Sequence, residues 1–515
     1  MALANFFDKS ALAASQILIG YDRTEFEHQL LDSPIEVAFD QNATERLEGK
    51  ATLELTIKLL ARLYPTLVLS PLDSASIVYS RELESLARRI NPKIEFDAKS
   101  VVATLIVGST NIERQSSVFY LGSDNWTVKF SSKHPVGSGV SSNIFAAGAS
   151  ACFGAANIFR YVFRDYLDKG DVDTEFTLSL ADFSPNDISG NMIAPDIIGK
   201  TSIQIGESIL VGLGAIGNGF VWALSNTQGI NGTLHNIDPE KIDLSNLQRY
   251  VLTEQSDIDK SKTEITHNHL VNTDINVISH NCDWATFLKE RADWKLDTVI
   301  SAVDSGQDRL AIQASLPKYL LNAWTQTADL GISRHLNFLE DACLACLYQP
   351  RATVKSESQL IAESFGLPEE EFKIREMLYN NAPIDDDWLA KIAQGKSVPI
   401  DLLTPYAGKQ VREFYHTVFC GGIIIGKENS RLVETPMAFQ SVLAGILLAS
   451  ELVINKAGLR SFSIATTTRI NLLKPLGEYL NDPVLKHADG RCICQDADFQ
   501  SQYKKKYPDE ESRIF

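Results

Sequence analysis

Three stretches in the second half of this sequence combine residue types that handle phosphate. Gly212-x-Gly214-x-x-Gly217 lies in LVGLGAIGNG (210–219), between a strand-like and a helix-like run. Glycines at that spacing permit a tight turn and let backbone N–H groups approach a phosphate, and the helix N-terminus adds positive potential. Asp238 closes the next strand-like run, TLHNID (233–238), where a carboxylate accepts hydrogen bonds from ribose hydroxyls. That much suits a dinucleotide as well as ATP. The residues beyond it separate the two: Ser245-Asn246-Leu247-Gln248-Arg249, and then Lys262, supply a pair of cations. A triphosphate cleaved between α and β needs fixed cations against the charge that builds on pyrophosphate, and a redox dinucleotide does not. Asp304 ends a third strand-like run, TVISAVD (298–304), where strand C-termini meet a ligand, a position suited to holding Mg²⁺. Taken singly, these are packing glycines and surface salt-bridge formers. Their order together favours ATP.

Thiols form a second set. Cys343-x-x-Cys346 and Cys492-x-Cys494 are two close pairs on tight turns. Together they can wrap one tetrahedral Zn²⁺, which would be structural because four thiolates leave no open position; four unrelated thiols is the plainer reading. Cys152 lies among Ala and Gly in an apolar helix and reads as core, and Cys282 follows the strand-like INVISHN and reads as structural. Cys420 differs. It stands in HTVFCGGIIIG, where two glycines allow close backbone approach, with His416 four residues earlier; a buried structural cysteine is its alternative.

The elements that position these residues read as mixed α/β in both halves, divided by the turn-rich 183–207. In the first half the spacing predicts a helix over Ala51–Tyr64, strands at 66–70, 101–108, 117–122 and 126–130, and an internal small-residue helix over Asn143–Phe163. In the second, strands at Ser208–Val211, 233–238 and 298–304 alternate with helices, which predicts a parallel, doubly wound sheet. Periodicity turns helical from Ser356 to about Arg412, and the tail Gln502–Phe515 is charged.

The stretch 207–262 resembles the adenylation domain of the ubiquitin-activating and ThiF/MoeB superfamily, through LVGLGAIG, NIDPEKIDLSNLQRY, the lysine of DIDKSK and, further on, SAVDS. The resemblance implies that Gly212, Gly214, Gly217 and Asp238 bind ATP, that Asn246 belongs to the same contacting stretch, that Arg249 and Lys262 meet phosphates, and that Asp304 holds Mg²⁺. Two positions depart from the family: Tyr250 stands where Gln usually follows the Arg, and Ser305 where Asn usually follows the magnesium Asp. ETPMAFQSVLAGILLASELV (434–453) is similar to the family's late helix. Many members hold zinc with a CxxC after the third strand and a second pair near the C-terminus, which implies Zn²⁺ on Cys343, Cys346, Cys492 and Cys494. In activating enzymes the catalytic cysteine falls between the CxxC and the late helix, which implies Cys420 as the thiol that takes the acyl group from an acyl-adenylate. NIFAAGASACFGAANIFRYVF followed by FTLSLADF resembles the core of an adenylation-type repeat without its own glycine turn. Residues 1–190 then read as an inactive partner half, with Arg114 or Arg81 as the arginine lent to the ATP site; an unrelated α/β domain is the alternative.

Composition sets outer bounds. The 515 residues are 44% hydrophobic and 22% charged, an ordinary globular balance. Forty-eight Lys and Arg against 65 Asp and Glu leave a net charge of −17, which argues against a nucleic-acid-binding surface. No apolar run is expected to span a membrane: the best, Val442–Ile454, is interrupted by Gly445, Ser450 and Glu451. Asp8 and Lys9 make the start a poor secretory signal, and seven cysteines suit a cytoplasmic protein.

The expectation is therefore an α/β chain with a doubly wound, mostly parallel Rossmann-like adenylation sheet and an inactive adenylation-like half, together a pseudodimer that can still self-associate. Its divisions are 1–190 (partner half), 191–350 (ATP-binding core), 351–430 (helical insertion with Cys420) and 431–515 (the return with zinc ligands and tail). The function expected is C-terminal adenylation of a ubiquitin-like protein with an extended tail, thioester formation on Cys420, and transfer to a conjugating enzyme. The fused half resembles bacterial activating enzymes of ubiquitin-like operons, the antiphage Bil type among them. Rivals are a sulfur-carrier adenylyltransferase without thioester transfer, an NAD-dependent oxidoreductase, and a non-catalytic scaffold half.

Overall fold

The structure, a computed structural model, describes residues 3–185, 197–327, 329–349, 356–396, 398–420, 435–477 and 480–508, without the side chains of His416 and Cys420. The chain divides into two units, Met1–Phe7 with Leu18–Gln349 and Pro436–Phe515, and Asp8–Ile17 with Pro350–Thr435.

The first unit holds two sheets. The first contains β1 (Ile35–Phe39), β2 (Leu67–Pro71), β3 (Ala103–Val107), β4 (Ser117–Asp124), β5 (Thr127–Ser131) and β6 (Glu175–Ser179), in the order β2-β1-β3-β4-β5-β6. The second contains β7 (Ile203–Val211), β8 (Ile230–Ile237), β9 (Asp274–His280), β10 (Thr298–Ser301), β11 (Tyr319–Thr325), β12 (Leu330–His335), β13 (Thr467–Ile470) and β14 (Asn481–Asp482), in the order β14-β13-β12-β11-β10-β7-β8-β9. Adjacent strands from β2 to β4, and from β9 to β11, run parallel. The remaining neighbours are antiparallel.

The two sheets repeat one plan. β1 leads through helix Leu47–Leu60 to its parallel neighbour β2, as β7 leads through helix Ala215–Asn226 to β8. β3 and β4 lie beyond β1 as β10 and β11 lie beyond β7, and the second sheet adds β9. In each half the next strand turns back antiparallel, and a long helix, Phe145–Val162 or Ala438–Lys456, intervenes before the last matching strand. This is the pseudodimer of α/β halves that the sequence predicts.

The long helices are apolar all round because they are covered all round. Every residue of Phe145–Val162 except Tyr161 is buried. Thr52 Oγ1 on the neighbouring helix donates to the Ala147 carbonyl at 3.1 Å, and the Phe159 and Phe439 rings lie 5.8 Å apart between the two long helices. Gly219 and Gly445 let Ala215–Asn226 and Ala438–Lys456 touch backbone to backbone: a Cβ on Gly445 would sit 2.2 Å from the Ile216 carbonyl. The expectation about apolar runs needs correction here. Ala438–Lys456 forms 19 residues of helix with mean hydropathy 1.6, long and apolar enough to cross a membrane, but 94% of the apolar window is buried within the molecule. Gly445, Ser450 and Glu451 do not interrupt it, since Glu451 is neutralised by Arg334 (2.7 Å) and Arg460 (2.7 Å) inside the core.

The second unit is helical: Glu357–Ser364, Glu371–Tyr379, Asp386–Lys396 and Val411–Tyr415, then a π-helical turn over His416–Cys420. Ile361, Phe365, Ile374, Ile392, Phe414 and Phe419 form its core. Gln16, from the short N-terminal piece of this unit, accepts a hydrogen bond from the Thr435 N–H at 2.9 Å.

Candidate nucleotide and metal sites

The glycine turn follows β7 as the sequence predicts. Gly212 has φ +90°, and a Cβ there would meet the Ala302 carbonyl at 2.8 Å, so a side chain would collide with the chain leaving β10. At Gly214 a Cβ would find only the Tyr250 hydroxyl, at 3.4 Å, which marks the open side of the turn. Helix Ala215–Asn226 begins there, with its first N–H groups at the crevice.

Asp238 follows β8 directly. Its Oδ2 accepts the Leu213 N–H of the glycine turn at 2.8 Å, and its Oδ1 accepts the Glu240 N–H at 2.9 Å. Burial pushes its carboxyl above the ordinary value, against the pull of Lys262 and these two N–H groups. Lys262 opens helix Lys262–Leu270, its side chain only 5% exposed, with Nζ 3.8 Å from Asp238 and paired with the outward-reaching Glu240. Burial disfavours its charge, but Tyr250, Asp238 and Glu240 together hold the ammonium above its ordinary range.

The Arg249 loop is braced from within. Asp243 caps the short turn Leu244–Gln248, Asn246 Oδ1 returns a bond to the Asp243 N–H at 3.0 Å, and the Asn246 carbonyl accepts from Arg249 (3.0 Å) and Tyr250 (2.9 Å). Arg249 Nη1 is buried and has no hydrogen-bond partner among the described residues. A buried guanidinium nitrogen without an acceptor is costly unless an anion arrives to fill the place. The Tyr250 ring lies beneath both cations, 5.6 Å from the Arg249 guanidinium and 5.3 Å from Lys262 Nζ. The tyrosine that departs from the family pattern is thus a shared platform.

Asp304 is exposed beyond β10. Its backbone is fixed by Arg309, whose Nη1 donates to the Asp304 carbonyl at 3.1 Å and whose Nε holds Asn322 on β11 at 3.0 Å. Ser305 caps the next helix through the N–H groups of Gln307 and Asp308. The turn at Gly212, Gly214 and Gly217, together with Asp238, Lys262, Asn246 and Arg249, therefore has the glycine cradle and the buried donor that ATP requires, and Asp304 offers an unobstructed carboxylate for Mg²⁺.

Of the first-half arginines expected to reach this site, Arg114 is paired with Glu36 at 2.9 Å, and Arg81 is exposed on helix Ile77–Ile90. Those that do touch the Arg249 loop are Arg62 and Arg89, which no motif marks. Arg62 donates to the carbonyls of Tyr250 and Thr253, both at 2.8 Å, and Arg89 binds Glu254 at 2.8 Å.

All four cysteines of the two pairs are buried and converge, their sulfurs within 4.8 Å of one another. Cys346 and Cys492 lie 3.3 Å apart, Cys343 and Cys492 3.5 Å, and Cys346 and Cys494 3.5 Å. Four thiolates about 2.3 Å from a tetrahedral Zn²⁺ stand about 3.8 Å apart, so the cluster is compatible with zinc. Each pair sits at the head of a short helical turn, Leu344–Tyr348 or Ile493–Gln495. Cys152 is fully buried, and burial drives its thiol far above the ordinary value. Cys282 is partly buried and its thiol is also raised, by burial and by the neighbouring carboxylates of Glu290 and Asp283. Cys420 ends the turn His416–Cys420, and its side chain lies outside the described residues.

Residues 198–473, more than half of the chain, match the ThiF family. The chain belongs to the ThiF family. As a ThiF protein it is an adenylation-type enzyme, for which ATP and Mg²⁺ are implied. Residues 38–164 match Prokaryotic E2 family C, so this ThiF protein carries an E2-like domain in its first half. Protein y4jF of Sinorhizobium fredii (strain NBRC 101917 / NGR234), described as uncharacterized, is 45% identical over 512 residues, 98% of each chain. Among solved structures, E. coli MccB with MccA-N7isoASN is 15% identical with a TM-score of 0.34, over 56% of this chain and 66% of that one. E. coli MccB with ATP is 16% identical with a TM-score of 0.33, over 57% and 69%. This ThiF chain thus spans about two thirds of the MccB chains it matches.

Proposed function

We propose that this ThiF protein adenylates the C-terminal carboxylate of a ubiquitin-like protein whose extended tail reaches the carboxyl edge of the second sheet. The carboxylate oxygen attacks the α-phosphorus of ATP, the bond to the bridging oxygen breaks, and pyrophosphate leaves with that electron pair. Arg249 and Lys262 carry the charge that builds on the leaving group, and Asp238 orients the ribose. Bound Mg²⁺, held by Asp304, supplies further charge neutralisation. The observation that supports this most is the buried Arg249 Nη1 lacking an acceptor, beside the Lys262 ammonium on the same tyrosine ring.

The acyl group then passes to the Cys420 thiolate as a thioester, with AMP released, and on to a separate conjugating enzyme. Burial of Cys152 supports placing this thiol outside the E2-like stretch, whose sole cysteine it is. Structural Zn²⁺ on Cys343, Cys346, Cys492 and Cys494 ties the C-terminal segment to the second sheet. Reduced thiols of this kind and a need for ATP suit the cytoplasm.

The test is ATP–pyrophosphate exchange with a small ubiquitin-like protein whose extended C-terminal tail ends in glycine. Wild type supports exchange that needs this protein, and Asp304→Ala falls by about a hundredfold or more. A thiol-reducible adduct with it forms in wild type and is lost in Cys420→Ala. Exchange that persists in Asp304→Ala overturns the adenylation roles. An adduct that persists in Cys420→Ala overturns the thioester step alone and favours carboxylate activation without it.

A further inference from the structure

The two phosphate cations are held by a residue from the other half of the molecule. Arg62 lies just beyond helix Leu47–Leu60 and is 2% exposed. One nitrogen, Nη2, donates to the carbonyls of Tyr250 and Thr253 at 2.8 Å each, while Nη1 donates to the Lys58 carbonyl at 2.6 Å. Its grip therefore spans the backbone immediately after Arg249. Nearby contacts keep the same loop against the first half: Gln255 donates to the Ile90 carbonyl at 2.8 Å, and Arg89 pairs with Glu254. A guanidinium is the group suited to this, since its planar fork bridges two carbonyls with fixed geometry.

Tyr250 transmits that grip. It is 4% exposed, its carbonyl is the one Arg62 holds, and its ring underlies both Arg249 and Lys262. A cation over an aromatic face gains more when desolvated, so a fixed ring holds Arg249 and Lys262 side by side, Lys262 being placed further by Glu240 and Asp238.

We propose that Arg62 is a positioning residue which, through Tyr250, sets Arg249 and Lys262 for the β- and γ-phosphates, so that the first half, itself without a glycine turn, governs recognition of the triphosphate. This rests on the adenylation reading of the site. The relay ends on the two cations assigned to the β- and γ-phosphates, which AMP lacks, so its loss separates ATP from AMP.

The test is calorimetric titration of the full chain with non-cleavable α,β-methylene ATP plus Mg²⁺, and separately with AMP. Wild type binds the triphosphate more tightly. Arg62→Met and Tyr250→Leu each lower triphosphate affinity by about tenfold and leave AMP affinity unchanged, and the double variant is no worse than the poorer single one. Arg62→Lys, which keeps a buried cation but one donor group, falls between wild type and Arg62→Met and serves if the latter does not fold. The proposal is overturned if Arg62→Met or Arg62→Lys keeps the full triphosphate preference, if AMP binding falls in parallel, or if the two losses multiply in the double variant. A wild type that binds AMP as tightly as the triphosphate removes the adenylation reading first, and the relay with it.

Discussion

At the end of β7 the chain turns through glycines beside two cations, the buried Lys262 and the half-buried Arg249. At the end of β1, the matching strand of the other half, it turns through Asp40. That carboxylate caps helix Gln41–Glu45 and accepts from the N–H groups of Ala43 (3.2 Å), Ser109 (2.8 Å) and Thr110 (2.8 Å), and from the Thr110 hydroxyl (2.6 Å). A Cβ on Gly108 would lie 2.0 Å from Asp40 Oδ1, so the loop after β3 is pressed onto the acid. Both crevices are built to satisfy orphan N–H groups at a strand's carboxyl edge. In one, the protein supplies the anion itself and the crevice is closed to phosphate. In the other, Asp238 takes the Leu213 N–H of the turn, but Arg249 Nη1 has no acceptor among the described residues, so a further anion has to come from solution. Strand order is shared; what divides the halves is which partner brings the negative charge.

Arg249→Ala is the sharpest way to break this comparison. The second crevice loses a donor that has no partner among the described residues, so ATP–pyrophosphate exchange falls by about 10²- to 10³-fold while the melting temperature barely moves. Exchange left intact by Arg249→Ala would make the second crevice as inert as the first and favour the scaffold reading. Asp40→Ala gives the opposite pattern. Several N–H groups lose their acceptor, stability drops by about 1–3 kcal/mol, and triphosphate affinity stays within about twofold. Denaturant unfolding beside nucleotide titration measures both, and an Asp40→Ala chain of unchanged stability would show that the carboxylate does not hold the first crevice shut.

The second crevice was legible in the sequence because its parts lie in one short run. Glycine spacing, an acid at the next strand end and a cation pair each act through local geometry, and the structure brings Gly212, Asp238, Arg249 and Lys262 together as read. The convergence of the cysteine pairs was legible for a similar reason, since two tight turns each bring two thiols to one point. The repeat of the first half was visible only in its small-residue helix, because Asp40 looks like any helix cap until Ser109 and Thr110 fold onto it. Arg62 carried no signal at all. Its partners are main-chain carbonyls almost two hundred positions away, and backbone acceptors leave no trace in side-chain spacing. Ala438–Lys456 was underestimated because Glu451 breaks a hydropathy run but not a helix whose interior supplies Arg334 and Arg460.

The smallest effect expected sharpens the comparison through acid. Each half places an arginine–glutamate pair on its first strand, Glu36 with Arg114 on β1 and Glu207 with Arg291 on β7. Only the second continues into imidazoles: His235 lies 3.0 Å from Glu207 and its Nδ1 is 3.0 Å from His280 Nε2. Burial holds both imidazoles below their ordinary value, with Glu207 pulling His235 back and Arg291 opposing. A histidine lowered in the folded state contributes stability that is complete above about pH 6.5 and is lost as pH falls through its lowered value. The ring-to-ring hydrogen bond also needs one neutral imidazole as acceptor, so protonating both breaks it. Glu36, by contrast, is held below the ordinary carboxylate range: burial opposes this, but the Arg114, Ser70 and Thr104 hydrogen bonds prevail, and its contribution survives until far more acid conditions. Between pH 7.5 and 5.5, amide protection factors, corrected for the intrinsic exchange rate at each pH, should therefore fall in β8 and β9 while those of β1 and β3 hold, and His280→Gln should flatten the response. Loss of protection in β1 and β3 first would mean that the acid-sensitive half has been assigned the wrong way round.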